Sequence, residues 1–142
     1  MIFRRHDRRS RWLRDLKREL LGQSASIEKN DGHTVIHVGS NANISVESQW
    51  RLIDSKNIVV TDSDDCQWFG LEAPVDAIAK ANERLLNETI KSVALDQRTG
   101  DLRLLFSKSL VLEIITNSSG YESWVMDIRG EHFAVGANGG LA

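Results

Sequence analysis

Residues 32–46, GHTVIHVGSNANISV, and residues 100–114, GDLRLLFSKSLVLEI, align without a gap. At this offset of 68 positions Gly32 falls on Gly100, Ile36 on Leu104, Val38 on Phe106, Ala42 on Leu110, Ile44 on Leu112 and Val46 on Ile114. Self-similarity at a fixed spacing is the mark of a repeated structural unit. The match extends both ways. Upstream, Ser26-Ile27 falls on Ser92-Val93 with two extra residues in the second copy, and Leu20-Leu21 on Leu85-Leu86 with one more. Downstream, after six inserted residues, Trp50 meets Trp124 and Leu52 meets Met126.

Each copy alternates apolar and polar residues with a period of two, the pattern of half-buried antiparallel strands. Strands are predicted near 24–29, 33–38, 42–48, 50–54 and 57–61, then 90–96, 101–106, 110–116, 123–128 and 132–136. Asn30-Asp31-Gly32 and Arg98-Thr99-Gly100 supply hairpin turns that tolerate positive φ. A helix precedes each set of strands. From Ser10 onward Trp12, Leu13, Leu16 and Leu20 recur at helical spacing, with Gly22 as the stop. The second helix is expected from Pro74 to about Glu88, with Val75, Ile78, Leu85 and Leu86 facing inward. The fold expected is α+β: internally duplicated helix-plus-antiparallel-strand units, mainly antiparallel sheet, with two helices. Residues 1–9 form a basic arm. Residues 10–142 form one compact domain of two repeats, about 10–61 and 74–136. The joining segment from Thr61 to Gly70 reads as a polar linker whose Trp68-Phe69 tucks back onto the body.

A chain of 142 residues, 41% apolar, is long enough to bury roughly 68–70% of its unfolded surface. Its one cysteine, Cys66, excludes an internal disulfide and every multi-cysteine zinc site. With no apolar run of membrane-spanning length, the expected location is cytoplasmic. Charge is segregated beneath a net value of −2. Residues 1–19 hold eight arginines and lysines against Asp7, Asp15 and Glu19, a net +5, which leaves −7 for the rest. Arg4, Arg5, Arg8 and Arg9 are therefore candidate contacts for a nucleic acid or an anionic surface. No reading motif accompanies them, and an amphipathic helix with a solvated charged face is the plainer interpretation.

The outward positions of the two copies differ. The first carries Val35, His37, Asn43, Ser45 and Glu47, and the second Arg103, Leu105, Val111, Glu113 and Ile115. A strand set apolar on both faces calls for a cover, expected to be one of the helices or else another subunit.

Signatures of catalysis fail on spacing. His33 and His37 are four apart on a strand, about 13 Å, too far to share a metal. Asp62, Asp64 and Asp65 suggest a calcium loop, but Gln67 stands where its glycine belongs and Ala73 where its closing glutamate belongs. Cys66 lies among these carboxylates, the wrong neighbours for an activated thiolate. The glycines at 136, 139 and 140 precede no helix, so they hold no phosphate. No catalytic residue, metal or cofactor is assigned.

The insertion Asn117-Ser118-Ser119-Gly120-Tyr121-Glu122-Ser123-Trp124 is where the second copy departs from the first. Loops on a rigid sheet concentrate binding residues, so Ser119, Tyr121 and Glu122 are the candidate binding set. Its run Gly120-Tyr121-Glu122-Ser123-Trp124, with residues 100–106 before it and the closing Gly-Gly at 139–140, resembles an uncharacterised bacterial domain-of-unknown-function family with a G-Y-E-[SA]-W signature. The resemblance covers about residues 41–142 and implies a bacterial domain with no activity, cofactor or catalytic residue attached. The expected function is a non-enzymatic binding or protein-interaction module with a protein partner or a second copy. The alternative is a nucleic-acid or anionic-surface binder using the arginine-rich arm.

Overall fold

The computed structural model describes residues 2–107 and 109–135, with side chains for residues 11–132 of that range. In chain order the elements are α1 (Ile2–Leu20), β1 (Ala25–Asn30), β2 (His33–Val38), β3 (Ala42–Val46), β4 (Gln49–Asp54) and β5 (Asn57–Thr61). After a short 3-10 turn at Asp62–Asp64 come α2 (Ala77–Leu85), β6 (Ser92–Leu95), β7 (Leu102–Leu105), β8 (Leu110–Ile115), β9 (Trp124–Ile128) and β10 (Glu131–Val135). All ten expected strands are present, each within two residues of its predicted limits. Two antiparallel sheets and two helices make the fold α+β.

The two copies do not form one sheet each. One sheet runs β1-β2-β3-β9-β10, and the other, in the matching direction, runs β6-β7-β8-β4-β5. Replacing every strand by its counterpart in the other copy turns one order into the other. Each copy thus gives three strands to one sheet and two to its neighbour. The registers match as well. Ile36 pairs with Ile44 and Ile44 with Met126, while Leu104 pairs with Leu112 and Leu112 with Leu52. The chain changes sheets where β3 passes into β4 and β8 into β9. There the buried Ser123 binds both passages, its carbonyl accepting from the N–H groups of Glu47 at 2.9 Å and Ser48 at 3.1 Å.

Alternation explains the core. Ile36, Ile44 and Met126 from one sheet meet Leu52, Leu104 and Leu112 from the other in a single buried cluster that includes Trp50 and Trp124. Burying a large apolar side chain stabilises by about 1.5–3 kcal/mol, so the paired inner faces dominate folding. Leu16 and Leu20 of α1, with Ala77, Ala81 and Leu85 of α2, enter the same cluster.

The described contacts of the helices close sheet edges. α2 packs against β1 and β5, the edge strands of the two sheets. Its Asn82 imitates a strand, accepting the Ile27 N–H at 2.7 Å and donating to the Ile27 carbonyl at 2.8 Å. Edge groups left unpaired invite association, and this amide occupies them. α1 packs against β6, and Gly22 and Gln23 just after it exchange backbone hydrogen bonds with Ile90, both at 2.8 Å. Among the described residues the helix cover expected over the apolar outer face is therefore not found: Leu105, Val111 and Ile115 stand half-buried there. The helices' own apolar stripes are spent on the gap between the sheets.

Two helix starts differ from expectation. α1 begins at Ile2, so residues 2–9 continue its backbone; arginine is a good helix former and no glycine or proline interrupts them. α2 begins at Ala77, beyond Pro74, because the Asp76 carboxylate caps it by accepting the Ala79 N–H at 3.0 Å. Leu86, expected inside, follows the end of α2 and is 70% exposed.

Candidate interaction surface

Strand registers define two ends of the molecule. At one end lie the β1–β2 and β6–β7 turns, both sheet crossings and the linker from β5 to α2. Gln49 at the start of β4 pairs with Ile115, and the neighbouring Arg51 pairs with Thr61. The linker and the inserted β8–β9 loop therefore rise from strands either side of β4, with roots about 10 Å apart at the usual strand spacing. These two segments have no counterpart in the repeat. Both break the pseudo-symmetry at the same end.

The linker is an ordered hairpin. Thr61 N–H donates to Asp64 Oδ2 at 2.9 Å, and Ala77 N–H donates to Asp65 Oδ1 at 2.9 Å, so its root is tied to both β5 and α2. Lys29 of β1 approaches the Asp65 carboxylate at 3.6 Å. Burial pushes the Asp62 carboxyl up from its ordinary pKa, against the lowering effect of backbone N–H groups around it. Further out, Cys66 N–H donates to the Val75 carbonyl and Val75 N–H to the Gln67 carbonyl, both at 2.8 Å. At the tip Leu71 N–H reaches the Trp68 carbonyl at 2.7 Å, with Phe69 at φ 47° and Gly70 at φ 75°. Two successive positive φ values make a turn of the I′ kind, which favours Asn-Gly.

The tip holds apolar side chains in water. Trp68 is 57% exposed, Phe69 67% and Leu71 57%. The expectation that Trp68-Phe69 tucks back onto the body is overturned, because the hairpin hydrogen bonds hold the turn away from it. Phe69 carries a second cost. A bulky residue at positive φ is an outlier, and the left-handed conformation is unfavourable by roughly 1–2 kcal/mol for residues with a Cβ. Neither its conformation nor its exposure contributes to folding.

The inserted loop is also held at its root. Asn117 N–H donates to Ser123 Oγ at 3.3 Å, and Ser118 Oγ accepts from Gly120 N–H at 3.1 Å and Tyr121 N–H at 2.9 Å. Ser119, Tyr121 and Glu122 are exposed, Tyr121 at 81%. Ser123 and Trp124, by contrast, are buried, and Trp124 Nε1 donates to the Gly100 carbonyl at 2.9 Å. Candidate binding residues and scaffold residues are thus adjacent in sequence and separate in role. Arg4, Arg5, Arg8 and Arg9 lie on α1, with side chains outside the described residues.

Among the described residues no three or more His, Cys, Asp or Glu are grouped to hold a metal ion. His37 lies directly opposite Ser26, but its Nε2 is 2.6 Å from Glu28 Oε2 and its Nδ1 2.7 Å from Asn43 Oδ1. With both ring nitrogens facing acceptors, it serves Ser26 as no base; the Glu28 hydrogen bond first, and Asn43 second, raise its pKa above the ordinary value. His33 lies 3.8 Å from Glu47, and His132 3.6 Å from Asp127. No described helix is long and apolar enough to cross a membrane.

Compared with protein-family models, with curated proteins and with solved structures, the chain matches none. The site therefore rests on geometry. Residue patterning passed over Trp68, Phe69 and Leu71 because three apolar residues in four look like buried packing. The signal available was Phe69-Gly70, a turn dipeptide with the wrong first residue.

Proposed function

We propose that this chain is a non-enzymatic protein-interaction module that docks its partner through the end carrying the linker hairpin and the inserted loop. The carrying observation is Phe69: an aromatic ring both exposed and held at positive φ. Strained backbone and uncovered aromatic surface in one ordered turn are unexplained by folding, and such outliers gather at functional sites. Trp68, Leu71 and Tyr121 supply further apolar area, with Ser119 and Glu122 as polar contacts beside it. Aromatic anchors of this kind dominate binding energy at protein interfaces. The resemblance to the G-Y-E-[SA]-W family and the lone cysteine go with a bacterial cytoplasmic setting.

Phe69→Asn tests the reading. Asparagine tolerates positive φ and suits the I′ turn, so the variant should be more stable by about 0.5–1 kcal/mol in chemical denaturation. Binding to the partner should weaken at least roughly tenfold in the same variant, as for loss of a buried anchor. A variant that is less stable, or that binds undiminished, removes Phe69 from the interface.

A further inference from the structure

Resting on that interaction reading, we infer that the partner presents an apolar pocket rimmed by lysines or arginines, into which the Trp68-Phe69-Leu71 tip enters as a plug. Shape is the first ground. A tight turn that projects three apolar side chains is convex, and its complement is a concave pocket. Charge is the second. Residues 62–76 contain Asp62, Asp64, Asp65, Glu72 and Asp76 and no lysine or arginine, and the neighbouring loop adds Glu122. Lys29 answers Asp65 at 3.6 Å, and the remaining carboxylates leave an acidic collar at the foot of the apolar tip, which steers encounter with the opposite sign and rejects its own.

The same collar argues against other occupants. Anionic lipid headgroups repel it, and two tips from two copies of the chain would set carboxylates against carboxylates. Several of these acids are also bound into the hairpin itself, Asp64 and Asp65 at its root and Asp76 at the start of α2. Their charge is fixed at the root of the hairpin. Glu72 is exposed one residue beyond Leu71, which makes it the collar position to alter without touching the hairpin's bonds.

The test places a photo-reactive p-benzoylphenylalanine at position 69 of the full chain in the cells it comes from. The cross-linked protein is then purified, and its affinity for the wild-type chain is measured between about 0.05 and 0.5 M salt. Expected is a heterologous partner whose affinity falls as salt rises through screening. Trp68→Ser should weaken it at least roughly tenfold, and Glu72→Lys should weaken it more than Glu72→Gln. Binding that is indifferent to salt, or tighter with Glu72→Lys, overturns the cationic rim and leaves the interaction reading standing. A blue shift of tryptophan emission with phosphatidylcholine or phosphatidylcholine–phosphatidylglycerol vesicles, lost in Trp68→Ser, makes the occupant a bilayer and overturns the inference. Self-adducts do so in favour of a second copy. No adduct from position 69 at all overturns the interaction reading together with the inference.

Discussion

The outer rows of the two sheets occupy equivalent places and differ in chemistry. Across the first sheet Ser26, His37, Asn43, Asp127 and His132 face one another in register. The corresponding row of the second is Ser92, Leu105, Val111, Ile53 and Ile58. Inside, the matched rows stay apolar in both, Ile36-Ile44-Met126 against Leu104-Leu112-Leu52. The difference separates two constraints. Inward positions must fill one shared core at close packing, so both copies keep them large and apolar. Outward positions answer only to what lies beyond the sheet, so they diverge. The tryptophans show the same freedom at closer range: Trp124 Nε1 has the Gly100 carbonyl, whereas Trp50 Nε1 is buried with no hydrogen-bond partner among the described residues.

If the halves are equivalent scaffolds, truncating either tryptophan should be severe. Trp50→Ala and Trp124→Ala should each cost about 3–5 kcal/mol in urea denaturation. A mild effect from one alone breaks the equivalence. Ile44→Ala and Leu112→Ala, at matching central positions, should each cost about 2–5 kcal/mol and agree closely.

The indole hydrogen bond should separate the halves more finely. Trp124→Phe leaves the Gly100 carbonyl without its donor, while Trp50→Phe removes only an unpaired donor. Beyond the shared loss of ring volume, the first should cost more by about 1 kcal/mol. Equal losses would show that the Gly100 bond contributes nothing net.

The polar row should bring pH dependence that its apolar counterpart lacks. Because the His37 pKa is raised in the folded state, the folded chain binds more protons around that range, and stability falls as pH rises. The contribution is complete below about 6.5, the unfolded value, and is lost as pH passes through the raised one. With His37 partly exposed, it should amount to less than about 1 kcal/mol. Denaturation midpoints of wild type and Glu28→Gln at pH 5.5 and 8.5 should differ more at the lower pH. A gap that widens at high pH contradicts the assignment.

The smallest effect belongs to the inserted loop. Tyr121→Ala should shift stability by less than about 0.5 kcal/mol, since its ring lies outside the core. A large loss in thermal unfolding would make Tyr121 a packing residue and remove it from the proposed interface.

Local pattern carried much of this architecture. Alternation marked the strands and their inward residues, and Asp31-Gly32 declared its hairpin through two positive φ values. The repeat aligned Leu20 with Leu85, both buried, whereas Leu86, read as inward from its helical spacing, is exposed like its counterpart Leu21. The β8–β9 loop was legible as an insertion, since the repeat supplied a template to depart from.

Tertiary structure alone decided the exchange of strands. The pairs β3–β9 and β4–β8 are remote in the chain, and a sequence whose copies share one register fits either sheet of its own or sheets exchanged between copies. Packing decides between them, and the exchanged arrangement found here sets both tryptophans and both inner faces in one core. The helices were likewise readable as amphipathic, but the gap between sheet edges that takes their apolar stripes exists only after the sheets form. Trp68, Phe69 and Leu71 are hydrophobic by identity, which predicts burial. It is the backbone bonds between Cys66, Gln67 and Val75, closed once the hairpin is tied to β5 and α2, that turn those side chains outward.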